Sequence, residues 1–271
     1  MNREKTSILI LSCDKYADIW QVFFEFFFKF WADCPYKIYL GTNTLEHNNK
    51  RVNSIKSGEA KDWSTDTISI LQQITEKYVI IILEDYFIYA HPDQQTLDKA
   101  IDLMEASGAV FMRLACFPSD HFSDYAYDTI PGNEPFVKTR DDARYKVNLQ
   151  TGIWNREELI KLIIPGESPW DFEINASIRS KNNSKPFLGI KENKRLRYVH
   201  GPIPYLCTAL SRGVWMRDAL ALARKNSISV DTGKRPVETV WAFWKRKLYH
   251  LMPFGTRKYM DYIASKTDRQ S

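Results

Sequence analysis

The run Tyr78-Val-Ile-Ile-Ile-Leu83 has no polar interruption, and five of its six residues are β-branched or leucine. That pattern predicts a strand buried on both faces of a mostly parallel sheet. Elements of alternating kind surround it. Thr6-Ser-Ile-Leu-Ile-Leu11 reads as a first strand, closed by Ser12-Cys13-Asp14. Residues 16–31 are dense in aromatics, and their length, with Glu25 and Lys29 four apart, predicts a helix covering the sheet. Lys37-Ile-Tyr-Leu40 is a second strand ending in Gly41-Thr42-Asn43. Residues 44–62 are polar, a loop or a short edge element. Trp63-Ser-Thr-Asp66 opens a helix running to Glu76, with Ser64 or Thr65 expected as its cap. A polar helix over 93–106 and a strand Ala109–Leu114 follow the central strand. The first 115 residues therefore read β-α-β-α-β-α-β, a succession of right-handed crossovers.

Beyond this point the rhythm changes. Residues 117–146 carry Pro118, Pro131-Gly132 and Pro135 and predict a long, partly irregular segment. Val147–Ile153 alternates and reads as a strand leading into Trp154, with a helix over 155–162 stopped by Pro165-Gly166. Ser168-Pro169-Trp170-Asp171-Phe172-Glu173 is a strong helix start, with Ser168 as cap and Pro169 in the first turn. Short strands at 185–190 and 196–200 and a helix over 213–224 complete the pattern. The expected architecture is a single α/β domain over 1–225 with a mostly parallel central sheet, followed by a helical appendage over 226–271.

Composition narrows the class. The chain has 271 residues and 14% aromatic content, enough for one substantial core. Cys13, Cys34, Cys116 and Cys207 are far apart and make no metal-ligand pair, so zinc-finger and iron–sulfur readings fall away. The first apolar run ends at Cys13-Asp14-Lys15, too soon for a signal peptide, and no stretch reaches transmembrane length. The expectation is a cytoplasmic protein. Of the formal net charge of +5, the segment from Ser211 onward holds 13 Lys and Arg against 5 Asp and Glu. The tail is thus basic and the remainder acidic. Such a tail allows an anionic membrane surface as partner, whereas an acidic core speaks against nucleic acid.

The chemistry gathers at strand ends. Glu84-Asp85 follows the central strand directly, where open α/β sheets place their ligands, and carboxylates suit a hard divalent ion held against a diphosphate. Neither G-x-G-x-x-G nor a P-loop is present, which excludes dinucleotide and ATP sites of those designs.

The order of Ile8-Leu-Ile-Leu-Ser-Cys-Asp14, Leu83-Glu84-Asp85, Gln150-Thr-Gly-Ile-Trp154 and Trp170-Asp-Phe-Glu173 resembles bacterial polysaccharide- and lipopolysaccharide-assembly glycosyltransferases of the GT-A fold, family-2-like, over roughly residues 5–215. The resemblance implies a GT-A-like nucleotide-sugar-binding domain that moves a sugar from a UDP-, GDP- or dTDP-linked donor to a saccharide acceptor. It implies Mn²⁺ or Mg²⁺ at Glu84-Asp85-Tyr86, with Asp85 as ligand, although Tyr86 stands where such motifs carry a carboxylate. His200 matches a late metal ligand, or is simply a strand-end histidine. Arg197 and Lys194 would approach the diphosphate. Asp171 and Glu173 are the candidates for the base that takes the acceptor's proton in an inverting reaction, with a narrow preference for Glu173. Both also suit the first turn of a helix as stabilising charges. Ser12, Asp14, Tyr16 and Asn43 would contact base or ribose, and Trp63 and Glu84 would complete the donor site. Trp154 and Trp170 offer flat faces to sugar rings. The alternatives are a retaining transferase of the same fold and a non-catalytic assembly scaffold.

The tail has its own pattern. In Pro236–Met252, Val237, Val240, Trp241, Trp244, Leu248 and Leu251 fall on one broad helical face, flanked or opposed by Lys245, Arg246, Lys247 and His250. A basic amphipathic helix with tryptophan reads as a peripheral membrane-surface element, here on the inner face of the cytoplasmic membrane. The alternative is an apolar face docked on protein, with only the charges in solvent. A lipid-linked acceptor would suit the first reading.

Overall fold

A computed structural model describes residues 2–115, 127–143, 145–191 and 198–251. The chain divides into two compact units, Met1–Thr208 and Ala209–Ser271.

In the first unit, β1 (Thr6–Leu11), β2 (Lys37–Thr42), β3 (Asn53–Lys56) and β4 (Tyr78–Leu83) are parallel neighbours in the order β3-β2-β1-β4. The polar stretch after β2 thus supplies an edge strand. Beyond β4 the sheet becomes mixed. β9 (Gly152–Asn155) runs antiparallel to both β4 and β6 (Phe111–Arg113). β10 (Phe187–Ile190) is parallel to β6, and the hairpin β7 (Tyr127–Thr129) and β8 (Phe136–Thr139) closes the edge. A second small sheet joins β5 (Phe87–Ile88), β12 (Tyr205–Leu206) and β11 (Tyr198–Val199). The architecture is α/β with a mixed, partly parallel central sheet.

Helices cover both faces because the inner strands are apolar on both. Leu9, Leu11, Val79 and Ile81 share one core with Ile70 and Leu71 of α2 (Trp63–Gln72), Leu159 of α4 (Arg156–Leu162) and Phe172 and Ala176 of α5 (Pro169–Arg179). The alternate set Ile8, Ile10, Ile80 and Ile82 is equally buried on the opposite face. The aromatic helix α1 (Ala17–Phe30) buries Trp20, Phe23, Phe24, Phe26 and Phe27 while Glu25 and Lys29 remain exposed. Phe26 stacks on Phe87 of β5 with ring centroids 4.9 Å apart. The predicted polar helix is α3 (Gln94–Ser107), capped by Asp93 and ended by Gly108 in the left-handed region.

Three boundaries differ from expectation, each for a local reason. The cap of α2 is Asp62, whose carboxylate accepts from the Thr65 N–H; the Ser64 and Thr65 side chains donate to that same carboxylate rather than capping. The strand expected over 147–153 forms only from Gly152. Its earlier N–H groups are spent on α5: Val147 N donates to Ser177 Oγ at 3.0 Å and Leu149 N to Glu173 Oε1 at 2.7 Å. In the second unit, the helix expected from Gly213 starts at Arg217, as α6 (Arg217–Lys225). It is preceded by a hairpin of β13 (Leu210–Ser211) and β14 (Val214–Trp215). Gly213 sits in its turn at φ +79°.

The second unit also carries α7 (Val240–Leu251). Arg246 makes a two-pronged ion pair with Glu238, at 2.9 and 2.8 Å, and reaches Asp218 of α6 at 3.0 Å. Lys247 meets the other Asp218 oxygen at 3.2 Å. Among the described residues, no helix is long and apolar enough to cross a membrane.

Gly152 permits the closest approach in the sheet. A Cβ there would stand 2.3 Å from Phe111 Cε2 and 2.9 Å from the Met112 carbonyl oxygen. Phe111 is itself pinned, stacked on Trp154 at 4.0 Å. Gly152→Ala is therefore expected to destabilise by about 1–3 kcal/mol, the usual cost of overpacking, read as a lower denaturation midpoint in urea.

Candidate functional site

Parallel pairing brings the strand ends to one edge. Leu11 is in register with both Gly41 and Leu83, so Ser12-Cys13-Asp14, Asn43 and Glu84-Asp85 all leave the sheet on the same side. β9, running the other way, begins at this edge, with Gly152 opposite Ile81. Gln150 and Thr151 therefore belong to the same rim.

The first part of the rim is a hydrogen-bonded latch. Asn43 N donates to Asp14 Oδ1 at 2.9 Å, and Asp14 N donates to Asn43 Oδ1 at 3.1 Å. Thr44 adds its N–H at 2.9 Å and its hydroxyl at 2.6 Å to Asp14 Oδ2. Burial alone would push the Asp14 carboxyl up, but the Thr44, Asn43 and Leu45 donors together hold it below its ordinary range. Asn43 also donates its side-chain amide to Ser57 and Asp66. Ser12 Oγ accepts from the Trp20 indole at 2.8 Å, anchoring α1. Tyr16 ends the turn Asp14–Tyr16 and is half-buried. Trp63 packs inward on Phe172, ring centroids 5.3 Å apart. Ser12, Asp14, Asn43 and Trp63 thus all have side chains engaged in holding the rim. Arg197 and Lys194 lie outside the described residues.

The second part centres on Tyr86. A turn closed by Tyr86 N to the Leu83 carbonyl folds Glu84-Asp85-Tyr86 over the end of β4. The Tyr86 ring stacks on Tyr205 of β12 at 4.6 Å. Gln150 ties the pair together: its Nε2 donates to Tyr86 Oη at 3.0 Å, and its Oε1 accepts from Tyr205 Oη at 2.7 Å. The Cys207 thiol lies 3.7 Å from the same Gln150 oxygen. The Thr208 hydroxyl donates to Asp85 Oδ2. Glu84 is buried, and after burial itself its charge is the next cause raising the Cys13 thiol.

Asp171 and Glu173 separate clearly. Asp171 closes a capping box, its Oδ2 accepting from the N–H and hydroxyl of Ser168. The Ser168 hydroxyl, then its N–H, lower the Asp171 carboxyl, which is exposed. Glu173 points the other way, into the protein. Burial pushes its carboxyl up, and the Leu149 N–H offsets only part of that. The Tyr86 hydroxyl is raised well above its ordinary range, first by burial and then by Cys207, Tyr205, Asp85 and Glu173. Asp85 and Glu173 therefore both act on one buried hydroxyl.

His200 keeps different company. It is exposed, and its Nδ1 is 2.9 Å from the Tyr89 hydroxyl. Among the described residues no three His, Cys, Asp or Glu side chains are grouped to hold a metal ion. Trp154 is fully buried against Phe111 and is a core residue, so it offers no face to a sugar. Trp170 is 74% exposed on the first turn of α5.

No protein-family model and no curated protein matches the chain. Solved structures do resemble it in fold. Staphylococcus aureus TarS 1-349 is 12% identical with a TM-score of 0.44, over 75% of this chain and 60% of that one. UDP-glucose pyrophosphorylase from Acinetobacter baumanii is 9% identical with a TM-score of 0.46, over 70% and 87%. CMP:2-keto-3-deoxy-manno-octonic acid synthetase complexed with CTP is 10% identical with a TM-score of 0.41, over 69% and 89%. The chain thus spans 60% of the TarS fragment. Identities and scores of this size carry nothing about chemistry to this chain.

Sequence reasoning reached Asp85 and Glu173 but not their neighbours Gln150, Tyr205, Cys207 and Thr208. Gln150 had a signal, since it opens the Gln150-Thr-Gly-Ile-Trp154 stretch. Tyr205 sits in a two-residue strand, too short to show a period.

The raised Glu173 carboxyl has a stability consequence. The folded state holds this proton more tightly than the unfolded chain, so its contribution is fully present below the ordinary glutamate range and is lost as pH rises through the raised value. Glu173→Gln keeps an acceptor for the Leu149 N–H and removes the titration. Its melting temperature is expected above wild type at neutral pH, the gap closing below about pH 4. A gap independent of pH would contradict a titrating, half-buried Glu173.

Proposed function

We propose that the chain is a glycosyltransferase, moving a sugar from a nucleotide-sugar donor to a saccharide acceptor in surface polysaccharide or lipopolysaccharide assembly, with inversion. The observation that carries this is a pair of unlike carboxylates near Tyr86: Asp85 at the strand end, bonded by the Thr208 hydroxyl, and half-buried Glu173 on α5, held by the Leu149 N–H; both raise the Tyr86 hydroxyl. Asp85 stands at the carboxyl edge of the parallel strands, where a nucleoside diphosphate would lie. The other has a raised affinity for protons, the property a general base needs near neutral pH.

In this reading Glu173 takes the proton of the acceptor hydroxyl as that oxygen attacks the anomeric carbon. Its Oε1 is held by Leu149 N–H, which fixes the carboxylate while Oε2 receives the proton. Tyr86, Gln150 and Tyr205 are held together by hydrogen bonds. Asp171 serves the helix cap. A Mn²⁺ or Mg²⁺ ion would be held by Asp85, because such ions commonly take one or two carboxylates and complete their shell with phosphate oxygens and water. When bound, the ion neutralises charge on the departing diphosphate. His200 is not needed for this arrangement.

The test is transfer kinetics over UDP-, GDP- and dTDP-sugars, with product configuration read by NMR. Glu173→Gln should lower turnover by roughly 100-fold or more with donor binding unchanged. Asp85→Asn should weaken both donor binding and turnover, with partial rescue at high Mn²⁺. Asp171→Asn, at the exposed helix cap, should retain turnover. Full activity of Glu173→Gln would remove the assigned base, and a product with the donor's configuration would replace inversion by a retaining mechanism. Absence of turnover with every donor would favour a scaffold.

A further inference from the structure

The ion pairs of α7 run opposite to the simplest expectation for a basic amphipathic helix. Arg246 is turned into its own unit, bound to Glu238 and Asp218, both of which are buried. Lys247 reaches Asp218 while its side chain stays 40% exposed. Thr239 fixes the start of the helix, its hydroxyl accepting from Ala242 N and its carbonyl from Phe243 N. Anchored by these groups, α7 holds its apolar side outward. Val240, Trp241, Trp244 and Leu248 are exposed by 57, 75, 57 and 54%. At about 100° per residue they form one stripe, and Lys245 and Lys247 fall on its two borders. The reading in which the apolar face docks and the charges meet solvent is therefore reversed.

We infer that this stripe is a membrane-surface contact, lying flat in the headgroup region of an anionic bilayer. Two tryptophans with an apolar body and an N–H suit that boundary, and Lys245 on the stripe's border suits headgroup phosphates. Charge is complementary, since the segment from Ser211 holds 13 basic against 5 acidic residues. The helix has 12 residues, roughly 18 Å at 1.5 Å per residue, well short of a hydrocarbon core of about 30 Å. It lies on a membrane rather than crossing one. A second copy is the weaker occupant. Four such side chains present on the order of 500 Å², below the roughly 800 Å² per partner of a stable interface. Pairing two copies would also oppose their lysines. The inference is independent of the transferase reading, because it is tested without donor or acceptor.

The experiment is flotation of the full chain with phosphatidylcholine vesicles, with and without phosphatidylglycerol, together with tryptophan emission. Wild type should float with the anionic vesicles, less so at high salt, with a blue-shifted emission. Trp241→Ser/Trp244→Ser should lose about 10-fold or more in vesicle affinity while its far-UV spectrum and melting temperature are retained. If the double variant does not fold, Lys245→Glu, on the stripe's border, should reduce flotation on anionic vesicles alone. Equal flotation of wild type and both variants would overturn the inference, as would wild type failing to float with either vesicle. A wild-type dimer that the double variant converts to monomer, with no vesicle binding by either, would assign the stripe to a second copy instead.

Discussion

The strand β4 has both edges occupied, by β1 in parallel and β9 in antiparallel register, and both faces covered. Along Tyr78–Ile81 the backbone is paired on both edges, so the strand stays in line until its partners end. The chain regains freedom at Glu84, and it does so at the edge where β1 and β2 also end. The polar residues of the rim are therefore held together by the pairing of apolar strands that touch no ligand. A fault in that pairing would disperse the rim even with every rim residue intact.

Two carboxylates of the rim are placed in unlike surroundings, and their chemistry differs accordingly. Asp14 is surrounded by donors, which lower its proton affinity and commit it to holding two strand ends. Glu173 is half-buried with a single donor, and burial raises it more than that donor lowers it. Asp171, two residues before Glu173, belongs to the first kind. On a helix, neighbours two apart face different sides, so one sequence motif yields a cap and a half-buried acid.

Much of the first unit was legible because its signals are local. The apolar strands β1, β2 and β4, the aromatic helix α1 and the Ser168-Pro169 start of α5 each follow from a few adjacent residues. What was not legible depends on partners distant in sequence. The strand before Trp154 is shortened because Leu149 N–H bonds to Glu173 of α5. Trp154 and Trp170 look equivalent as sugar platforms until one is stacked on Phe111 and the other is in solvent. The Tyr86, Gln150 and Tyr205 cluster joins three separate segments, and neither Glu84-Asp85-Tyr86 nor Gln150–Trp154 tells from its own residues that these side chains meet. The orientation of α7 follows from Asp218 and Glu238, which lie outside its own pattern.

The Asp14–Asn43 latch bears on how this site would be mapped by genetics. Replacing Asp14 releases the Asn43, Thr44 and Leu45 donors at once and loosens the tip of β1 from the turn after β2. In a colony screen scored only by lost activity, such alleles would cluster with those at Asp85 and Glu173, the proposed ligand and base, and pass for lesions of the same kind. Suppressors would tell the groups apart. A loosened latch can be compensated by stabilising changes elsewhere in the first unit, whereas a missing acid–base group cannot.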